Sequence, residues 1–182
     1  MKKILLLICM CLALVGCGLK ETKAEDAVKD YLNQYKNLGD TVITDLATLV
    51  DAEELNDDQK KVYKGILEKQ YQDMTYKIVE AEYAGDTAEV EVTVTVYDLY
   101  KAQTDASTYL SNNLDEFNDE DGSYDNEKYL DYKLEQMKKT TDTVEYTINF
   151  KVEKIDGKWT VEQPDTDDLE KIHGIYNYDI ES

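Results

Sequence analysis

The chain has 182 residues, with 40 acidic side chains against 20 basic ones and a formal net charge of −20. Every basic residue is lysine, so bidentate guanidinium recognition of phosphate or carboxylate is excluded. Nucleic acid is a poor partner for such a surface, because binding to it rests on phosphate neutralisation. The plain reading of the acidity is a highly soluble face that resists association.

The first elements concern location. Met1-Lys2-Lys3 is a short basic start, and residues 4–15 are an apolar run. That run is too short for a membrane-spanning helix, which needs about 20 residues, and it has the build of a secretory signal peptide. It ends in Leu14-Val15-Gly16-Cys17. This tetrapeptide resembles the lipobox of bacterial lipoproteins, in which the cysteine is lipidated and becomes the new N-terminus. The resemblance implies a cleaved leader over residues 1–16, a diacylglyceryl anchor on Cys17 and a lipidated tether over 17–22. One acyl chain holds a membrane only marginally, and the diacylglyceryl group supplies two. Cys9 and Cys11 leave with the leader, so the mature chain has no partner for a disulfide and no thiol for catalysis or metal binding. The expected location is the extracytoplasmic face of the cell membrane. The few residues between Cys17 and Thr22 reach roughly 15–20 Å when extended, which keeps the domain close to the bilayer. Lys20 and Lys23 are the residues placed to face the lipid.

Residues 23–176 read as one α+β domain, followed by a tail over 177–182. Thr22 and Glu25 form a capping-box pair, after which Ala24, Ala27, Val28, Tyr31, Leu32, Tyr35 and Leu38 recur at helical spacing up to Gly39. Asp40 opens a second helix carrying Val42, Ile43, Leu46, Leu49 and Val50. Asn56 with Gln59 opens a third, whose stripe is Val62, Tyr63, Ile66, Leu67 and Tyr71.

The period then changes to two. Residues 75–83 and 88–96 read as strands joined through Gly85-Asp86. The implied register sets Ala84 opposite Thr87, Ala81 opposite Val90 and Val79 opposite Val92. A helical stretch over 98–117 follows, and Ser123 is placed to cap another helix with Leu130, Leu134 and Met137 inward. Alternation returns in Val144, Tyr146, Ile148, Phe150 and Val152. Asp156-Gly157 is a strong hairpin signal that sets Val152 opposite Val161 and Lys154 opposite Trp159. Pro164 ends the last strand, and a short helix over 166–173 stops at Gly174. The outer sheet face, with Glu89, Glu91, Thr93, Thr95, Glu145, Thr147 and Asn149, is polar.

Three N-terminal helices, an antiparallel hairpin and a closing pair around Val152–Pro164, with its Asp-Gly-Lys-Trp159 turn, resemble the NTF2-like (cystatin-like α+β cone) superfamily. More narrowly, they resemble uncharacterised NTF2-like lipoproteins of bacteria. The resemblance implies a curved antiparallel sheet of four or more strands, closing a cone beneath the helices. The long helical insertion between the second and third strands departs from that pattern.

Candidate sites follow from this frame. Of the 15 tyrosines, Tyr31, Tyr35, Tyr63, Tyr83 and Tyr146 fall on inward faces. They read first as core, with hydroxyls reaching partners. In an open cone Tyr31, Tyr35, Tyr83, Tyr146, Phe150 and Trp159 would instead line a ligand pocket. His173, the sole histidine, reads as a helix-end imidazolium stabilised by the macrodipole and lying outside the sheet. The acidic loop 118–123 invites comparison with a calcium-binding EF-hand. Aligning Gly122 puts Phe117 and Lys128 at two ligand positions, and neither offers an oxygen. A solvated loop is the better reading, with an irregular weak calcium site as its alternative. No metal, cofactor or catalytic residue is assigned. NTF2-like enzymes use an aspartate base in the cone with a hydrogen-bond donor opposite, and no pair here matches. The leading function is a membrane-anchored, non-catalytic binding or interaction module for a small molecule or an extracytoplasmic protein. A small-molecule enzyme and a structural cell-envelope protein are the alternatives. A carboxylate buried inside the cone within reach of a tyrosine hydroxyl would favour the enzyme.

Overall fold

Two stretches of alternating sequence become four strands in the order β1-β2-β3-β4, each antiparallel to its neighbour. The computed structural model describes residues 23–181. The leader, the lipobox and the tether lie outside the described residues, as does Thr22. Along the chain come α1 (Ala24–Lys36), α2 (Asp40–Asp51), α3 (Asp57–Asp73), β1 (Thr75–Ala84), β2 (Thr87–Tyr97), α4 (Leu99–Asn112), α5 (Asn126–Lys139), β3 (Thr143–Ile155), β4 (Lys158–Val161) and α6 (Thr166–His173). Short 3-10 turns cover Leu114–Phe117 and Tyr178–Glu181. The architecture is mixed α+β, and the four-stranded sheet is open rather than closed into a cone. Among the described residues no helix is long and apolar enough to cross a membrane.

Alternation decides which face of the sheet is covered. Ala88, Val90, Val92, Val94 and Val96 of β2 are buried, as are Tyr146, Ile148, Phe150 and Val152 of β3. The intervening Glu89, Thr93, Glu145, Thr147 and Asn149 are not. Helix α1 lies over the inner face and touches all four strands. It buries Val28, Leu32 and Tyr35, whose spacing of four and three residues makes one stripe. Helix α3 packs on α1, α2, α5 and α6, so its Tyr63, Ile66, Leu67 and Tyr71 complete the core.

Both turns have the chemistry their sequences demand. Asp156 and Gly157 take φ of 50° and 79°, positive at both centres as a type I′ hairpin requires. Val152 pairs with Val161 and Lys154 with Trp159. In the first hairpin Ala84 pairs with Thr87 and Ala81 with Val90. Beyond that the register departs from strict alternation. A bulge between Ile78 and Glu80 sets Ile78 opposite Val92 and leaves Val79 47% exposed. One extra residue in β1 re-aims the strand, and Ile78 takes the inward place expected of Val79.

Helix ends show further departures. The cap of α1 is Lys23, without a side-chain bond, and the Glu25 carboxylate accepts the Tyr83 hydroxyl; the Thr22 half of the expected box lies outside the described residues. The α1 stop is Leu38 at φ 51°, not Gly39. Gly39 N–H donates to Gln34 C=O and Leu38 N–H to Tyr35 C=O, the Schellman pattern. Gly39 then caps α2, whose first residue is Asp40. The Asn56/Gln59 box of α3 is complete. The stretch read as a helix to residue 117 breaks at Asn113. There the Asn112 and Asn113 side-chain amides donate to the carbonyls of Thr108 and Tyr109. Such side chains compete for the terminal carbonyls and end the helix. Leu114 is exposed as a result. Helix α5 is capped by Asp125, which accepts from Glu127 and Lys128 N–H, rather than by Ser123.

Candidate functional site

The structure distributes the six pocket candidates over three places. Tyr31, Tyr35 and Phe150 meet in the core between α1 and the sheet. The Tyr31 and Tyr35 hydroxyls are 3.2 Å apart, and the Tyr31 and Phe150 rings are 5.7 Å apart. Tyr35 meets Tyr71 edge-on at 5.2 Å, and the Tyr71 hydroxyl lies 2.9 Å from His173 Nδ1. These side chains fill the inner face rather than walling a cavity.

Tyr83 and Trp159 sit at the hairpin-turn end of the sheet, edge to face at 5.5 Å. Tyr83 is exposed there, not inward-packed. Its hydroxyl accepts the Ala24 N–H at 3.2 Å and donates to Glu25. The N-terminus of α1 is thereby fixed beside the turns.

His173 is also displaced from its expected role. It does end α6, with Gly174 beyond it at φ 73°. The ring, however, is buried against Tyr71, and burial pushes its pKa down to about 4. It is a neutral core imidazole, not a helix-end cation.

Tyr146 lies at the opposite end of the sheet from Tyr83 and lines a groove of about 450 Å³ with Thr147, Lys171, Tyr176 and Tyr178. The residue is more than nine-tenths buried, and its hydroxyl has no hydrogen-bond partner among the described residues. Tyr176 packs edge-on against the Tyr146 ring at 5.7 Å, and Lys171 Nζ stands 5.1 Å from the Tyr176 centroid. The Tyr178 hydroxyl donates to Asp98 Oδ2 at 3.2 Å. Asp98 is itself buried and accepts the Lys101 N–H at 2.8 Å through Oδ1, capping α4. Burial, then the Asp98 charge, pushes the Tyr178 phenol up to about 12. Burial followed by the same charge raises Tyr146. Both phenols therefore keep their protons near neutral pH.

A second groove, of about 380 Å³, lies between α3 and α5 over Ile66, Leu99 and Met137. Lysines 61, 69 and 138 rim it, and two of them already hold carboxylates: Lys61 pairs with Asp58 and Lys69 with Asp73. The acidic loop is organised by its own side chains, since Asp119 Oδ1 accepts the N–H groups of Asp121 and Ser123. Among the described residues no group of three or more metal-ligating side chains gathers.

Of the six candidates, only Tyr146 borders either groove. Sequence reasoning missed Asp98, Tyr176 and Tyr178. Asp98 had a signal, as an acceptor directly before the helical stripe that starts at Leu99. Both tyrosines follow the glycine stop, where Tyr176 reads as the last residue of the domain and Tyr178 as tail.

No family model matches the chain, and no curated protein matches it. Among solved structures the chain is similar to a Bacillus subtilis protein assigned as a lipoprotein (ycdA), at 17% identity and a TM-score of 0.41. The likeness covers 86% of this chain and 48% of that one, so this chain spans about half of that protein's length.

Proposed function

We propose that this chain is a lipid-anchored, extracytoplasmic binding module, held through Cys17, that uses the groove around Tyr146, Tyr176 and Tyr178 as its binding face. Its single α+β domain, with helices over one sheet face, is of the NTF2-like kind. The observation that carries the binding reading is the Tyr146 hydroxyl, buried at the groove without a partner among the described residues. An unsatisfied buried hydroxyl costs about 1–3 kcal/mol, which a ligand or bound water entering the groove would recover. The anchor rests on Leu14-Val15-Gly16-Cys17 after a basic start and an apolar run. Cys17→Ser is expected to abolish fatty-acid labelling and move the protein from the membrane fraction to the medium. Retained label would overturn the anchor.

The start of the described chain and the groove lie at opposite ends of the sheet. Ala24 is tied to Tyr83 in the row Tyr83–Ala88–Val152, whereas Tyr146 lies six residues back along β3. At about 3.3 Å per residue the two rows are roughly 20 Å apart. A short tether at the Tyr83 end thus supports a groove that opens away from the bilayer. Trp159, the sole tryptophan, is a built-in probe of this orientation. In vesicles bearing a dansyl lipid, energy transfer from Trp159 is expected to exceed that from a Trp159→Phe/Tyr178→Trp double variant. Equal or reversed transfer would refute the orientation.

Acid–base catalysis is the second reading. It is favoured by the buried Asp98 carboxylate within 3.2 Å of a tyrosine hydroxyl. It ranks second because Asp98 already caps α4 and stands at the end of the sheet, not within its covered face.

A further inference from the structure

We infer that the tyrosine groove takes a small organic cation, an alkylammonium carrying at least one N–H, with the rings of Tyr146 and Tyr176 against its methyl groups and the negative charge of Asp98 behind it. The inference names the ligand class of the groove and rests on that groove being the binding face.

The first argument is charge. Asp98 is 7% exposed, and its two partners, a peptide N–H and a phenol, are both neutral. Among the described residues no lysine pairs with it. Lys101, whose N–H Asp98 caps, pairs through its ammonium with Asp105 and Asp142, and the groove's Lys171 pairs with Asp168. A buried carboxylate without a cation keeps its desolvation penalty uncompensated. The Asp98 charge lies one hydroxyl behind the groove wall, because Tyr178 both borders the groove and donates to the carboxylate. A neutral or anionic ligand would leave that imbalance or worsen it.

The second argument is the wall. Phenol rings present a negative quadrupole face that attracts ammonium groups, and desolvation strengthens the attraction. The groove already contains an instance, Lys171 Nζ above the Tyr176 ring. The third is the orphan hydroxyl. Tyr146 Oη can accept one hydrogen bond from an entering N–H, which selects a protonated amine over a quaternary one. The overall charge of −20 then enriches cations at the surface before any contact forms.

Trimethylammonium and tert-butyl alcohol make a matched pair of probes, alike in shape and each with one donor, but only the first is charged. At constant ionic strength, millimolar trimethylammonium is expected to shift the Tyr146 and Tyr176 ring resonances saturably, with at least tenfold higher affinity than the alcohol. Asp98→Asn keeps an N-capping side chain and a partner for Tyr178, and is expected to weaken ammonium binding at least tenfold with an unchanged circular dichroism spectrum. Lys171→Met removes the competing ammonium and is expected to tighten binding severalfold. This gain cannot come from a damaged fold. Equal affinity for the alcohol, unchanged affinity in Asp98→Asn, or weaker binding in Lys171→Met would overturn the cation assignment while the groove stood. If neither probe moves the tyrosine resonances, the groove itself is not the binding face and both readings fall.

Discussion

Between pH 6.5 and 4.5 the protein is expected to lose about 2 kcal/mol of stability through His173 alone. In the unfolded chain this imidazole has the ordinary value of 6.5, while burial in the fold holds it at about 4. Above pH 6.5 both states carry it neutral and stability is flat. As pH falls below 6.5 the unfolded state takes up a proton that the native state refuses, so stability drops until the pH nears 4. Few other groups share this window. Asp58, Asp73 and Glu135 are held below the usual carboxylate range by Lys61, Lys69 and Lys139, and their contributions are lost only at lower pH. Asp45, raised by burial, acts in the opposite sense. Urea midpoints measured across the window should slope for the natural chain. They should flatten for a Tyr71→Phe/His173→Leu double variant, which replaces both buried partners with apolar groups. A slope that survives in the double variant would assign the pH dependence to other groups.

Gly174→Ala is expected to destabilise the fold by about 3–5 kcal/mol, which for a chain this long lowers Tm by roughly 6–20 °C. Two separate terms contribute. Gly174 has φ 73°, a conformation that costs about 1 kcal/mol or more for a side-chain-bearing residue. A Cβ there would also overlap the Tyr97 carbonyl oxygen and the Gln70 amide nitrogen. Gln70 is fully buried. Its Oε1 accepts the Tyr97 N–H at 2.9 Å and its Nε2 donates to the Tyr97 C=O at 3.4 Å, so the intrusion breaks the amide pair that ties α3 to the end of β2. Gly157→Ala is the control. It has φ 79°, yet nothing lies within 4 Å of the added Cβ, and its loss should stay near 1 kcal/mol. Equal losses at 174 and 157 would mean that the Gln70–Tyr97 junction contributes nothing.

Features set by neighbours in sequence were legible, and features set by neighbours in space were not. The Asp156-Gly157 turn and its register follow from two residues whose φ requirements are local. The Asn56/Gln59 cap is equally self-contained. The bulge at Val79 is different, because an extra residue in β1 is visible only against the fixed pattern of β2. His173 looked like a charged helix end because its own helix says nothing of Tyr71, which is 102 positions away. The tyrosine groove was hidden for the same reason. Asp98, Tyr146 and Tyr178 come from three separate segments, and the last of these folds back across the helix stop at Gly174.

The meander also has a consequence for the order in which the molecule forms. Each outer pairing, β1 with β2 and β3 with β4, closes over a two-residue turn and belongs to the microsecond class of hairpin events. The central ladder runs unbroken from Thr87↔Glu153 to Tyr97↔Thr143, yet it joins strands separated by all of residues 98–142. Its closure is the non-local step, and it is made easier by α4 and α5, which pack on each other and draw the two strands together. Assembly thus resolves into two hairpins made early and a zipper that waits for a helical clasp. Because each doubling of a flexible loop adds only about 0.6 kcal/mol to its closure, the segment between the helices can lengthen at little thermodynamic penalty. The clasp residues Leu99, Leu134 and Met137, buried in the shared core, cannot be lost so lightly.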